Sequence, residues 1–265
     1  MRTRTQKFLL IALACVLGGG ILAAAAWGLG AQTSIHFPGS RMAERQEFSE
    51  TLTAFDRLDV RIDVSNLTLR EGTQFEISGH YYGDISFEVR GNTLFLVADT
   101  PTRNRISIGF NTRSHQGGDI IITVPALTDL EVPNLSLGVG NIRVQNVALH
   151  NARITNGVGN IDINGPLIGR ADISSGVGDI DISALITGRA DIDSGVGDIR
   201  LRLPESRENF SYSGTVGVGN ISIDGSDAIS AVGVVGATAS HTVTDPIGEV
   251  HFSSGVGNVR IDFRA

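Results

Sequence analysis

Cysteine and lysine are nearly missing from this chain of 265 residues, which holds one of each, Cys15 and Lys7. A lone cysteine excludes an intrachain disulfide and a thiolate metal cluster. Only seven apolar residues precede Cys15, and the apolar run continues beyond it. It therefore reads as a small hydrophobe and not as a lipidation site. Nothing in the sequence accounts for the scarcity of lysine. Acids are absent before Glu44, yet residues 8–265 carry 28 of them against 18 basic side chains, a balance of −10. Binding a phosphate backbone needs a basic surface, so nucleic acid is excluded as a partner.

Two further absences narrow the class. Beyond the first 31 residues no segment sustains a 3.6-residue apolar period, which excludes a helical domain. The six histidines (His36, His80, His115, His150, His241 and His251) are scattered. No pair has metal-ligand spacing, and no serine or cysteine nucleophile motif stands beside them. The expectation is no metal and no cofactor.

What is present begins with FLLIALACVLGGGILAAAAWGLGA, residues 8–31, which hold no charge. As a helix this run would span about 36 Å, enough to cross a hydrocarbon core of about 30 Å with some tilt. A cleaved signal usually has a shorter apolar centre of about 7 to 15 residues, although Ala24-Ala25-Ala26 offers a cleavage site. A retained transmembrane helix is expected, making the lipid bilayer a partner through residues 8–31. Arg2, Arg4 and Lys7 precede it, which puts residues 1–7 in the cytoplasm and everything after about residue 32 outside the cytoplasmic membrane. Residues 32–54 contain Pro38, Gly39 and RMAERQEFSE, and read as a tether.

From residue 55 to 265 strand signals take over. RLDVRIDVSNLTLR (57–70) alternates Leu58, Val60, Ile62 and Val64 with charged residues, the period of two of a half-buried strand. Further strands follow, with turns expected at Ser78-Gly79 and Gly91-Asn92. Adjacent Tyr81 and Tyr82 point opposite ways on a strand, so one belongs to the core.

Clear repeats occupy 132–265. A GVG motif recurs at Gly138 and Gly140, Gly157 and Gly159, Gly176 and Gly178, Gly195 and Gly197, Gly217 and Gly219, and Gly255 and Gly257. The first glycines are 19, 19, 19, 22 and 38 apart. A fixed period of this size marks a solenoid whose units bury their apolar faces by stacking on one another. The wider fourth interval is explained by LPESRENF, which forms an outward loop. The interval of 38 predicts a degenerate copy near Gly233 to Gly236. Alignment on the glycines gives columns expected to fill the interior: Leu135, Ile154, Ile173, Ile192 and Phe252; the six valines between the glycines; and two isoleucine-rich columns that follow. The glycines are expected at corners that need positive φ. Asn141, Asn160, Asp179, Asp198, Asn220 and Asn258, next in line, are expected to bond their own backbone two residues on. The fold class is all-β, a single-stranded parallel β-helix of about 19 residues per coil behind one N-terminal transmembrane helix.

The GVG unit resists two ligand readings. In a calcium-binding β-roll an aspartate would stand where Ile180 does, and Asp181 falls one residue late, on the other face of the strand. A Rossmann or P-loop reading needs a helix after the glycines, where this sequence has a strand each time.

Outward columns are the remaining candidates for chemistry. One runs Arg143, Asp162, Asp181 and Arg200; another runs Arg153, Asp172 and Asp191. Neighbouring Asp162 and Asp181 resemble the carboxylate pair of a glycosidase, but a repeat produces such pairs automatically, and the flanking arginines make the column a solvated charge ladder. No catalytic residue is assigned, and the chain is read as a non-enzyme. Arg260, Asp262 and Arg264 alternate along the last strand, where they would guard an open edge and keep the molecule monomeric.

Taken together, the basic N-terminal apolar segment, FDRLDVRIDVSNLTLREG, GNTLFLVAD and the repeated GVGNIDI and GVGDIDI units resemble the bacterial "putative adhesin" family of β-strand-repeat proteins, the toast-rack domains. The resemblance covers about residues 55–265. It implies a right-handed β-helix displayed outside the cytoplasmic membrane, sometimes in systems answering envelope stress or antimicrobials. The outward ladders and loops are expected to engage an envelope protein or surface polysaccharide as partner. It implies no catalytic or binding residues. The competing expectation is a β-helical enzyme or glycan-binding protein acting on polysaccharide.

Overall fold

The computed structural model describes residues 45–99, 118–126, 128–227 and 236–264. The expected transmembrane helix at 8–31 and the tether as far as residue 44 lie outside the described residues, as does most of the expected copy at 233–236. Among the described residues no helix is long and apolar enough to cross a membrane.

Two walls of strands enclose one apolar interior. Strand β1 (Arg45–Thr51) occupies residues expected in the tether. It is followed by β2 (Arg57–Gly72), β3 (Glu76–Tyr82), β4 (Asp84–Arg90), β5 (Thr93–Asp99) and β6 (Gly118–Pro125). Leu58, Val60 and Ile62 of β2 are buried, and so are Ser65, Leu67 and Leu69. The alternation slips by one residue between Ile62 and Ser65, and there β2 leaves one wall for the other.

The repeats continue both walls. Long strands β7 (Asp129–Val139), β9 (Ala148–Val158), β11 (Leu167–Val177) and β13 (Ile186–Val196) stack in parallel register as one wall. Short strands β8 (Ile142–Gln145), β10 (Ile161–Asn164), β12 (Ile180–Ser183) and β14 (Ile199–Leu203) form the other. Leu67, Ile142, Ile161, Ile180 and Ile199 make one buried column, Leu69, Val144, Ile163, Ile182 and Leu201 a second. Each such side chain contributes roughly 1.5–3 kcal/mol by leaving water.

Chain order and spatial order part company at the far end. The remaining strands are β15 (Phe210–Val218), β16 (Ile221–Ile223), β17 (Ser226–Asp227), β18 (Ala237–His241), β19 (Gly248–Val256) and β20 (Val259–Phe263). Strand β19 pairs in parallel with β13 on one side and β15 on the other. Strand β20 likewise lies between β14 and β16. The last coil in sequence is therefore inserted beneath the one before it. The complementarity is steric: a Cβ on Gly214 would meet the Phe252 ring at 2.3 Å, so the glycine leaves the space that the phenylalanine fills.

This insertion corrects two expectations. The described residues on either side of the expected copy do not form a parallel coil: β17 and β18 run antiparallel to β16 and β15 and close the end. Arg260 and Asp262 do not guard an open edge; β20 has a partner on each side, and Arg260 pairs with Asp262 at 2.7 Å. At the other end β3, β4 and β1 supply antiparallel closure, with β3 on β6, β4 on β5 and β1 on β3. Gly91-Asn92 is a turn as expected, but Ser78-Gly79 lies inside β3. Gly79 is needed there because a Cβ would strike the Asp119 carbonyl at 1.9 Å. Of the tyrosine pair, Tyr81 is core.

Candidate binding face

The corner motif is the most repeated element, and its three residue types do three different jobs. The first glycines, Gly138, Gly157, Gly176, Gly195, Gly217 and Gly255, are not at positive φ. A Cβ on Gly157 would meet the Gly138 carbonyl at 2.4 Å, and the same close approach recurs at each stacked copy. These glycines are demanded by coil-to-coil contact and not by a turn, which corrects the expectation. The second glycines do hold positive φ, from 130° at Gly159 to 151° at Gly257, where side chains are strained.

The valines between the glycines do not fill the interior. Val139, Val158, Val177, Val196, Val218 and Val256 are 46–54 % exposed. At the apex of a corner the chain turns its side chains away from the core, and the inside of that corner is lined by small polar residues, Asn156, Ser175, Ser194 and Ser254, all buried.

Nor do the Asn and Asp residues bond their own backbone two positions on. The Oδ1 of Asn66, Asn141, Asn160, Asp179, Asp198 and Asn258 accepts from the backbone N–H of the residue stacked above it, at 2.8–3.1 Å. The result is a polar ladder in the spatial order 66, 141, 160, 179, 198, 258, 220. Donation from the Asp198 N–H, with Arg200 nearby, holds the Asp179 carboxyl below the usual range. Asp179 in turn keeps the Arg200 guanidinium pKa above its ordinary value.

The column Arg143, Asp162, Asp181 and Arg200 lies in register across the short-strand wall. Arg143 stands 3.8 Å from Asp162, Arg202 donates to Asp181 at 3.2 Å, and Arg200 bridges Asp179 at 3.1 Å and Asp198 at 3.0 Å. A glycosidase acid needs an apolar pocket to keep it protonated. Asp162 and Asp181 instead face solvent and arginines.

The long-strand wall carries a shallow groove of about 740 Å³ across β9, β11, β13, β19 and β15. One column in it is a hydroxyl ladder interrupted by one acid, Thr155, Ser174, then Asp193, then Ser253 and Thr215, and Ser136 of β7 continues it beyond the groove. The Ser174 hydroxyl donates to Thr155 at 3.3 Å. Beside it runs a mesh of charges. Arg153 reaches Asp172 at 3.4 Å, Arg170 reaches Asp172 and Asp191 at 2.9 Å each, and Arg189 reaches Asp191 at 2.8 Å. Hydrogen bonding from Arg189 is the main reason the Asp191 carboxyl sits below the usual range. Arg170 and Arg189 escaped the sequence reading, although the twin GRADI segments at 169–173 and 188–192 were a visible signal.

Coil insertion also brings His251 beside Ser213, with Nδ1 2.9 Å from the hydroxyl. Their separation of 38 residues hid this pair. Glu249 is 3.9 Å from Nε2, too far to orient the ring. The strands carrying the pair are ladder-bonded to their neighbours, so no backbone N–H pair is presented as an oxyanion hole. Chemically, the face offers donors and acceptors in rows about 4.8 Å apart, suited to an extended polar chain laid across the strands. Among the described residues no group of three or more His, Cys, Asp or Glu is placed to hold a metal ion.

Comparison with known proteins gives one family match: the profile described as Toastrack DUF4097 covers residues 55–202. No curated protein matches the chain. Similar solved structures include a "putative cell adhesion protein" from Clostridium sporogenes, 16 % identical, covering 83 % of this chain and 100 % of that one with a TM-score of 0.49. A "putative adhesin" from Bacteroides fragilis is 15 % identical over 82 % and 97 %, with a TM-score of 0.30. A "putative lipid binding protein" from Parabacteroides distasonis is 14 % identical over 83 % and 97 %, with a TM-score of 0.29.

Proposed function

Because the chain belongs to the Toastrack DUF4097 family, we propose that it is a non-catalytic, adhesin-like binding protein of a bacterial envelope, anchored by residues 8–31 and displaying a right-handed solenoid outside the cytoplasmic membrane. In this reading its partner is an envelope protein or surface polysaccharide, and the signal it serves is envelope stress. The observation that carries binding over catalysis is the groove on the long-strand wall. It is wide, shallow and lined by self-paired charges and hydroxyls, a surface for extended contact without a convergent reactive centre.

Photoreactive residues placed singly at Thr155 and Ser174, in the groove, and at Ser222 and Arg207, outside it, test this in intact cells. The expected outcome is a defined envelope protein or glycan crosslinked at the first two positions and not at the others. Release of reducing ends from envelope glycans by the purified chain, abolished by Asp162→Asn or Asp181→Asn, would replace this reading with the polysaccharide-acting one.

A further inference from the structure

The six corner valines form one exposed line. Val139 stacks on Val158, then Val177, Val196, Val256 and Val218. Five strand spacings make this ridge about 24 Å long. Glycines flank it on both sides, so no neighbouring side chain shades it. Its backbone is already satisfied: the carbonyls of Val158, Val177, Val196, Val256 and Val218 accept from the second glycine of the adjacent coil at 2.8–2.9 Å. Drying this strip therefore leaves those carbonyls hydrogen-bonded, whereas drying an ordinary loop would strand them at a cost of about 1–3 kcal/mol each.

The occupant follows from size, register and charge. Two such ridges laid together would bury roughly a few hundred Å² per partner, well short of the roughly 800 Å² of a stable interface. A slide of one coil would also reproduce the same contact, so a second copy would find no unique register. A fluid apolar surface needs neither large area nor register. The columns beside the ridge are the hydroxyl ladder, which carries the carboxylate of Asp193, and the Asn/Asp ladder, whose two carboxylates, Asp179 and Asp198, are both bridged by Arg200. With no lysine after residue 7 and a balance of −10 beyond it, the fit is to a neutral lipid surface and not an anionic one.

We propose that this valine ridge docks the solenoid edgewise onto the neutral-lipid surface of the bilayer that anchors it. The inference rests on the anchoring reading above. Residues 32–44 separate the apolar run from the first described strand and can extend at most about 45 Å. A tether that short makes docking intramolecular, so a contact too weak to hold a free protein suffices.

The test uses the full chain with Cys15→Ser and one new cysteine, at Val177 on the ridge or at Asn164 away from it, carrying a fluorophore. Each is reconstituted into phosphatidylcholine vesicles containing nitroxide lipid, and flotation is scored separately from quenching. The expected result is several-fold stronger quenching at position 177 than at 164. It should weaken when phosphatidylglycerol is added, and be lost in a Val158→Asp, Val196→Asp variant that still floats and keeps its circular dichroism. Equal quenching at both positions in a floating chain overturns the docking alone. Failure to float overturns the anchoring and the docking with it. Shielding of position 177 that grows with protein density without lipid quenching overturns the lipid in favour of a second copy.

Discussion

Gly176 and Gly178 stand two residues apart and answer to different constraints. At Gly176 an added Cβ would lie 2.5 Å from the Gly157 carbonyl with no backbone strain; at Gly178 it would lie 2.1 Å from the Gly159 carbonyl at a φ of 141°. Gly176→Ala should cost about 1–3 kcal/mol as overpacking, and Gly178→Ala more, since conformational strain adds to the clash. Val177→Ser between them should leave stability almost unchanged, because the side chain is half exposed. Urea denaturation of the three variants checks that order. Asp179 and Asp191 supply the pH prediction. Both are depressed in the folded state, so the stability they add is present above the unfolded carboxylate pKa of about 3.9 and fades as pH falls through their lower folded values. Asp179→Asn keeps the acceptor for the next coil, as Asn160 does one step earlier, and removes the titration. The fall in Tm between neutral and acid pH should be shallower in that variant than in the parent chain.

At the scale of the element, the inserted coil is where sequence reading and structure diverge most. The parallel solenoid, its walls and its two isoleucine-rich columns were legible, because a repeat of like residues specifies stacking at each step. Coil order was not legible, since β15 and β19 carry the same GVG pattern and either would satisfy β13 by pattern alone. Phe252 of β19 packs over Gly214 of β15, a contact that makes these two coils neighbours without saying which of them lies against β13, and a lone glycine 38 residues from its partner gives no local signal. The outward valines were misplaced for a related reason: alternation assigns faces along a strand, and it fails at a corner. The groove was half legible, with its Asp172 and Arg153 column noticed and its hydroxyl ladder and His251–Ser213 contact missed, because these depend on which coils are neighbours. Gly214→Ala should destabilise by about 1–3 kcal/mol in the parent chain and by less when Phe252 is replaced by Leu. A double-mutant cycle followed by thermal melting measures that coupling.

For the whole molecule, each coil is held by its neighbours, so damage should travel along the stack and fade with distance. Ile180 is fully buried between Ile161 and Ile199. Ile180→Asp places a carboxyl group without a hydrogen-bond partner in that interior, where burial drives it to its neutral form and leaving it unpaired still costs about 2–7 kcal/mol. Amide exchange should accelerate most in β10, β12 and β14, less in β8 and β20, and least in β2 and β16. Placing β19 and β20 beneath β15 and β16 also has a meaning in time. A ribosome delivers residues 210–223 before residues 248–263, so the nascent chain meets a vacancy that its own later segment must fill. Until translation reaches that segment, β13 and β14 expose an unfinished edge that the earlier coil can occupy in the wrong position. A stop codon after residue 241 would therefore remove an inner layer of the solenoid and leave β15 and β16, with their closing strands, only the position beside β13 and β14 that β19 and β20 otherwise hold.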